Sequence, residues 1–301
     1  MICLGPMGDP DPTDLINSET NRIPFKIANM NVDWSQTFRS WPSLTPGWRN
    51  WFRWMAALHQ THLDNYDIGQ CITLSLSEMI RNEPMLVSAS YFWSDALNAF
   101  LFGHGPMTPT LLDVLMPTGF NISASDRPYD LLSKPDFKLD TRNIGGWKGY
   151  IDKYSKTGAA DLKEHATFLN MWLEKFIFCS KTVSPTSNTL KMAETLATGS
   201  HIPLGKHLLG SVYHLLHQVA VKLRSDQPIG NLGGPWWFIQ LWLNMYMHKT
   251  MGLDLRNMSF PSKIYAEGKQ IQVRRCSSFW WISINDCQWK LWHDRLLQLF
   301  L

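Results

Sequence analysis

From Glu164 to Lys249 the chain alternates apolar stripes with short polar turns. It closes on Gly233-Gly234-Pro235-Trp236-Trp237-Phe238-Ile239-Gln240-Leu241-Trp242. Phe168, Leu169, Trp172, Leu173, Phe176 and Ile177 fall within one half of a helical wheel, predicting a helix from about Asp161 to Cys179. Asn170, Glu174 and Lys175 lie away from that face. A Ser/Thr/Pro turn over 181–188 leads to a short helix, Leu190 to Ala197, stopped by Gly199. Leu208, Leu209, Val212, Leu215, Leu216, Val219 and Leu223 form the best stripe in the chain and predict a helix from Leu204 to Leu223. The helix beginning at Pro235 is apolar nearly all round, so it should be central. Its two amides, Gln240 and Asn244, should bond to neighbouring backbone.

Working toward the N-terminus, Gly145-Gly146, Pro135 and Pro128 mark residues 121–148 as loop. Leu111, Leu112, Val114 and Leu115 form a short helix after Thr108-Pro109, which reads as cap and first turn, with Pro117 and Gly119 as its stop. Asn82-Glu83-Pro84 opens a helix that should carry Leu86 to Trp93 on toward Phe102. A short helix is expected near Ser75 and Glu78, a capping-box pair. Thr45-Pro46 starts another, with Trp48, Trp51, Phe52, Met55 and Leu58 as its apolar stripe. Toward the C-terminus, Tyr265-Ala266-Glu267-Gly268-Lys269 predicts a hairpin, Phe279 to Ile284 a further strand, and Gln288 to Leu301 a helix. The expected fold is mainly α, a multi-helix globular domain with a small β-hairpin near the C-terminus. The expected divisions are an extended lead-in over 1–30, a helical domain over 31–262, and a hairpin-and-helix extension over 263–301 packed on the same domain.

Composition narrows the function classes. The 301 residues are 45% hydrophobic and 18% charged, a balance that favours a large core. Fifteen tryptophans point to a thick core or a covered surface. A net charge of +3, with basic residues interspersed, gives no support for a nucleic-acid footprint. Cys3, Cys71, Cys179, Cys276 and Cys287 are odd in number and form no CxxC pair, so reduced thiols are expected. No secretory signal or membrane span is read.

Three segments resemble the plant mobile domain family, labelled "aminotransferase-like". They are Tyr91 to Phe100 with Gly105 to Val114, then Gly145-Gly146-Trp147, then His165 to Lys249. The resemblance implies a helical, non-enzymatic domain carried by transposable elements or by nuclear host proteins. It implies links to silencing of those elements, genome stability and meristem development, and in some members a phosphatase-like protein partner. Met116-Pro117-Thr118-Gly119 departs from the family pattern.

No catalytic, cofactor-binding or metal-ligating residue is assigned. A pyridoxal-phosphate enzyme needs a Schiff-base lysine in a prepared setting, and Lys153, Lys206 and Lys249 have none. Gly233-Gly234 could cradle a phosphate, but a tight turn before Pro235 is the simpler reading. His207, His214 and His217 share a face that reads as solvated or partner-facing. Asp113 reads as a cap or an inter-helix hydrogen bond. Trp48, Trp51, Trp54, Trp236, Trp237, Trp280 and Trp281 are candidates for base stacking, with Arg49, Arg53 and Arg274-Arg275 nearby. The leading expectation is a nuclear protein-interaction module; the rivals are a pyridoxal-phosphate enzyme and a direct DNA binder.

Overall fold

The computed structural model describes residues 32–102, 105–123, 131, 133–155, 161–247, 265–266 and 269–270. The architecture is mainly α. In chain order the elements are α1 (Trp48–Asn65), α2 (Gly69–Leu74), α3 (Glu83–Ser90), β1 (Trp93–Ser94), β2 (Ala99–Phe102), β3 (Gly105–Met107) and α4 (Leu111–Thr118). They continue with α5 (Gly146–Tyr154), α6 (Leu162–Met171), α7 (Leu190–Ala197), α8 (Leu204–Arg224), α9 (Trp236–Met247), β4 (Tyr265–Ala266) and β5 (Lys269–Gln270). The segment Trp172–Ile177 extends α6 as a π turn.

Each helix start has a local cause. Gly47 caps α1 at a φ of 91°, and an added Cβ there would sit 3.1 Å from Ile151. The cap is Gly47 rather than Thr45: the left-handed backbone favours glycine, and the close approach of α5 adds to the strain of any side chain there. α4 starts one residue beyond Thr108-Pro109. Thr110 is its cap, and Asp113 returns the bond, so both early backbone amides are satisfied. The helix predicted near Ser75 lies earlier and ends at Leu74. Ser75 serves the core instead, accepting from Trp48 Nε1 at 2.8 Å and donating to the Ile72 carbonyl.

The helix expected to run on to Phe102 stops at Ser90. Beyond it lies a three-stranded antiparallel sheet, β1–β2–β3, with Trp93 opposite Phe100 and Phe100 opposite Met107. Asn98 sits at φ 50°, a left-handed turn position that no helix interior holds. Ser94 Oγ accepts from Leu97 N within the turn. The aromatic residues then suit a pleated, half-covered surface. Trp93 meets Tyr213 of α8 edge-on, and Phe100 stacks on Trp242 of α9 at 5.3 Å.

One apolar cluster extends from Phe38 to Met245. α6 lies inside it, flanked by α1, α5 and α7, while α8 packs against α3, α4, α9 and β1. Trp48 stacks on Phe168 at 4.8 Å and on Phe176 at 5.0 Å, fixing α1 across α6 and the π turn. A fully buried indole removes about 200 Å2 from water, a gross gain of about 5 kcal/mol. Every residue from Trp236 to Leu243 is buried, as the all-round apolar reading of α9 requires. Gln240 accepts from Asn82 N and donates to the Ile80 carbonyl, tying α9 to the start of α3. The hairpin at 265–270 is present, with Tyr265 opposite Gln270. The lead-in over 1–30, the strand over 279–284 and the helix over 288–301 fall outside the described residues.

Candidate functional site: the cleft beside the π turn

The amphipathic reading of the 161–179 helix is corrected by its surroundings. All residues from Glu164 to Met171 are buried, as is Glu174, because neighbouring elements enclose this helix on every side. A π turn follows at Trp-Leu-Glu-Lys-Phe-Ile, where Phe178 N bonds to the Leu173 carbonyl five residues back at 2.8 Å. Such turns are rare and often accompany function. Two residues past the turn lies Cys179, a non-glycine residue at φ 47°. That conformation persists only where packing over-determines it.

The π turn swings Glu174 inward. Its carboxylate accepts from Thr186 N at 2.9 Å, Asn188 N at 2.8 Å, Thr189 N and Thr186 Oγ1. Burial pushes the Glu174 carboxyl up, and these hydrogen bonds pull it back. Asn170 assists from one turn earlier, donating to the Thr186 carbonyl and accepting from Thr189 Oγ1. Together they bind the 186–189 segment to α6.

Lys175 points the other way, into a cleft of about 60 Å3. The cleft is lined from before α1 by Arg39, Ser40, Trp41 and Ser43, from α5 by Trp147, and beyond the turn by Cys179, Ser180 and Thr182. Lys175 Nζ donates to Ser43 Oγ at 3.2 Å. Burial lowers the Lys175 pKa. Burial pushes the Cys179 thiol up, so it stays protonated, and its sulfur donates to the Lys175 carbonyl.

A second polar cluster lies between α1 and α6. His165 stacks on His59 at 4.1 Å and meets His62 edge-on at 5.0 Å. Burial first, then His59 and His62, lower the His165 pKa to about 3. Next to it, Glu164 Oε1 accepts from Trp51 Nε1 at 3.1 Å. Among the described residues, no group of three or more His, Cys, Asp or Glu is placed to hold a metal ion. No helix among them is long and apolar enough to cross a membrane.

The family model described as plant mobile domain matches residues 132–288, more than half of the chain. This chain belongs to the plant mobile domain family. No curated protein and no solved structure matches it. The plant mobile domain match takes in Gly145-Gly146-Trp147 and the long helical block from His165, two of the three segments that carried the resemblance. It also supplies Trp147, Lys175 and Cys179 to the cleft, whereas Arg39, Ser40, Trp41 and Ser43 come from upstream of it.

The residues singled out in the sequence are scattered over this plant mobile domain. His214 and His217 are exposed on α8 and His207 is half-buried. Asp113 caps Thr110 and accepts from Tyr246, bridging α4 to α9. Lys153 pairs with Asp140, Lys206 is exposed, and Lys249 lies outside the described residues. Gly233 and Gly234 serve close packing: a Cβ would fall 2.3 Å from Lys181 backbone and 2.7 Å from Leu215, respectively. Trp48, Trp51, Trp236 and Trp237 are buried, so their faces are not open to bases, while Trp54 is 36% exposed. Trp280, Trp281 and Arg274-Arg275 lie outside the described residues. Sequence reading missed Lys175, Glu174 and His165. The sequence carried no clear signal for them, because Glu174 and Lys175 fit the polar side of a regular amphipathic helix and only the π turn redirects them.

Proposed function

We propose that this plant mobile domain protein is a non-catalytic protein-interaction module, acting in the nucleus in silencing of transposable elements, genome stability or meristem development. The observation that carries the reading is the division among its aromatic residues. Trp48 and Trp51 of α1 are buried, but Trp54 and Leu58, on consecutive turns of the same helix, are 36% and 45% exposed. An exposed indole beside an exposed leucine is the kind of anchor that protein interfaces use. Arg49 and Arg53 stand exposed on the same helix, giving that surface the polar surround typical of an interface. Family membership supports the same reading.

The test is affinity purification of the chain from plant nuclei, alongside the Trp54→Asp, Leu58→Asp double variant. Specific proteins, a phosphatase-like one among them, should co-purify with the native chain and be lost from the variant. Co-purification of the same proteins by both chains, or of none by either, would refute the proposal.

A further inference from the structure

We propose that the cleft beside the π turn is an oxyanion site, which takes one carboxylate or phosphoryl group onto the Lys175 ammonium. Lys175 is half-buried, and its Nζ bonds a neutral hydroxyl, Ser43 Oγ, at 3.2 Å. Among the described residues, no carboxylate comes within ion-pair distance of that nitrogen. The adjacent Glu174 also lines the cleft, but its carboxylate is taken up by Thr186, Asn188 and Thr189. A partly desolvated ammonium without a counter-charge is costly, and an anion removes that cost.

Other groups in the cleft suit the same ligand. Arg39 contributes a second cation at the rim, where its Nη1 donates to Gln36. Ser40 also lines the cleft, and its Oγ is buried without a hydrogen-bond partner among the described residues. The volume of about 60 Å3 sets the size of the ligand. It has room for a handful of water-sized atoms, which fits a carboxylate or phosphoryl head. The burial that lowers the Lys175 pKa would be countered by the bound charge, so anion binding and lysine protonation reinforce one another.

The group could arrive as a free ion or on a peptide side chain. The site itself stands apart from the interaction reading, since it is judged by anion affinity and not by co-purification. The test is calorimetric titration of the full chain near neutral pH and at constant ionic strength in chloride. The probes are inorganic phosphate, acetate, and a Gly/Ser peptide carrying one phosphoserine. Saturable binding of phosphate or acetate is expected. Lys175→Met should weaken it by at least about tenfold, the effect of losing a charge-assisted hydrogen bond. Arg39→Met and Ser43→Ala should each weaken it several-fold, and Lys206→Met, on α8, should leave it unchanged. Tighter binding of the phosphopeptide than of phosphate assigns the group to a peptide; equal or weaker binding assigns it to a free ion. Absence of saturable binding by every probe overturns the site, as does unchanged affinity in Lys175→Met. If that variant does not fold, unchanged affinity in both Arg39→Met and Ser43→Ala is the overturning result.

Discussion

Three imidazoles, those of His59, His62 and His165, meet where α1 crosses α6. His62 Nε2 lies 2.9 Å from the Leu196 carbonyl. The Nε2 atoms of His59 and His165 are buried without hydrogen-bond partners among the described residues. Desolvation lowers both groups, His59 further through His62, and takes His165 to about 3. In the unfolded chain a histidine titrates near 6.5. Below that pH the unfolded state gains a proton that the folded state refuses, so stability is complete above about pH 6.5 and falls as pH drops toward 3. Between pH 7.5 and pH 5 the loss from His165 should be about 2 kcal/mol. Urea unfolding at the two pH values should show it, and His165→Asn should reduce the difference. Parallel behaviour of the variant and the native chain would show that His165 is not the group responsible.

Among the elements, α4 is the clearest case of a short helix held by its ends. Thr110 and Asp113 satisfy each other's backbone amides, and Gly119 closes the C-terminus at φ 71°. Tyr246 adds a tie to α9 through Asp113, and burial together with that carboxylate pushes the Tyr246 phenol up. Thr110→Ala should cost about 1 kcal/mol, the usual value of a lost cap. Asp113→Ala should cost more, about 2 kcal/mol, because it removes the hydrogen bond from Tyr246 as well as its half of the capping box. Urea midpoints read the difference, and equal losses would show that the tie to α9 contributes nothing. The sequence placed this cap at Thr108 and read Asp113 as a cap or an inter-helix hydrogen bond; the structure puts the cap two residues on, at Thr110, with Asp113 in both roles. The sheet over 93–107 could not be read from sequence: Trp93, Phe100 and Phe102 read equally well as helix, and what selects strand is the surface that Tyr213 and Trp242 offer to them.

Across the whole molecule, the tryptophans separate into interior and surface groups. Trp48, Trp93, Trp172, Trp237 and Trp242 are almost fully enclosed, whereas Trp54 is not. Trp48→Ala should destabilise the fold by about 3–5 kcal/mol. Trp54→Ala should change stability by less than about 0.5 kcal/mol, while weakening partner capture. Thermal or urea unfolding of the two variants tests the partition; a large loss from Trp54→Ala would place its indole in the core and remove the interaction surface.

The sequence by itself determined the mainly α class, the limits of α7 and α8 and the start of α9 to within a residue or so, and the central place of α9. These depend on helical periodicity and on caps, which are properties of a few neighbouring residues. It also marked Gly233-Gly234 as a turn. Tertiary structure alone decided that α6 is buried on every face, that Glu174 turns inward while Lys175 faces a cleft, and that His59, His62 and His165 touch. Those outcomes depend on which elements lie across from one another, and on a single π turn that rotates the side chains after it. Contacts between residues more than a hundred positions apart, such as Trp51 with Glu164 and Lys175 with Ser43, leave no local pattern to read.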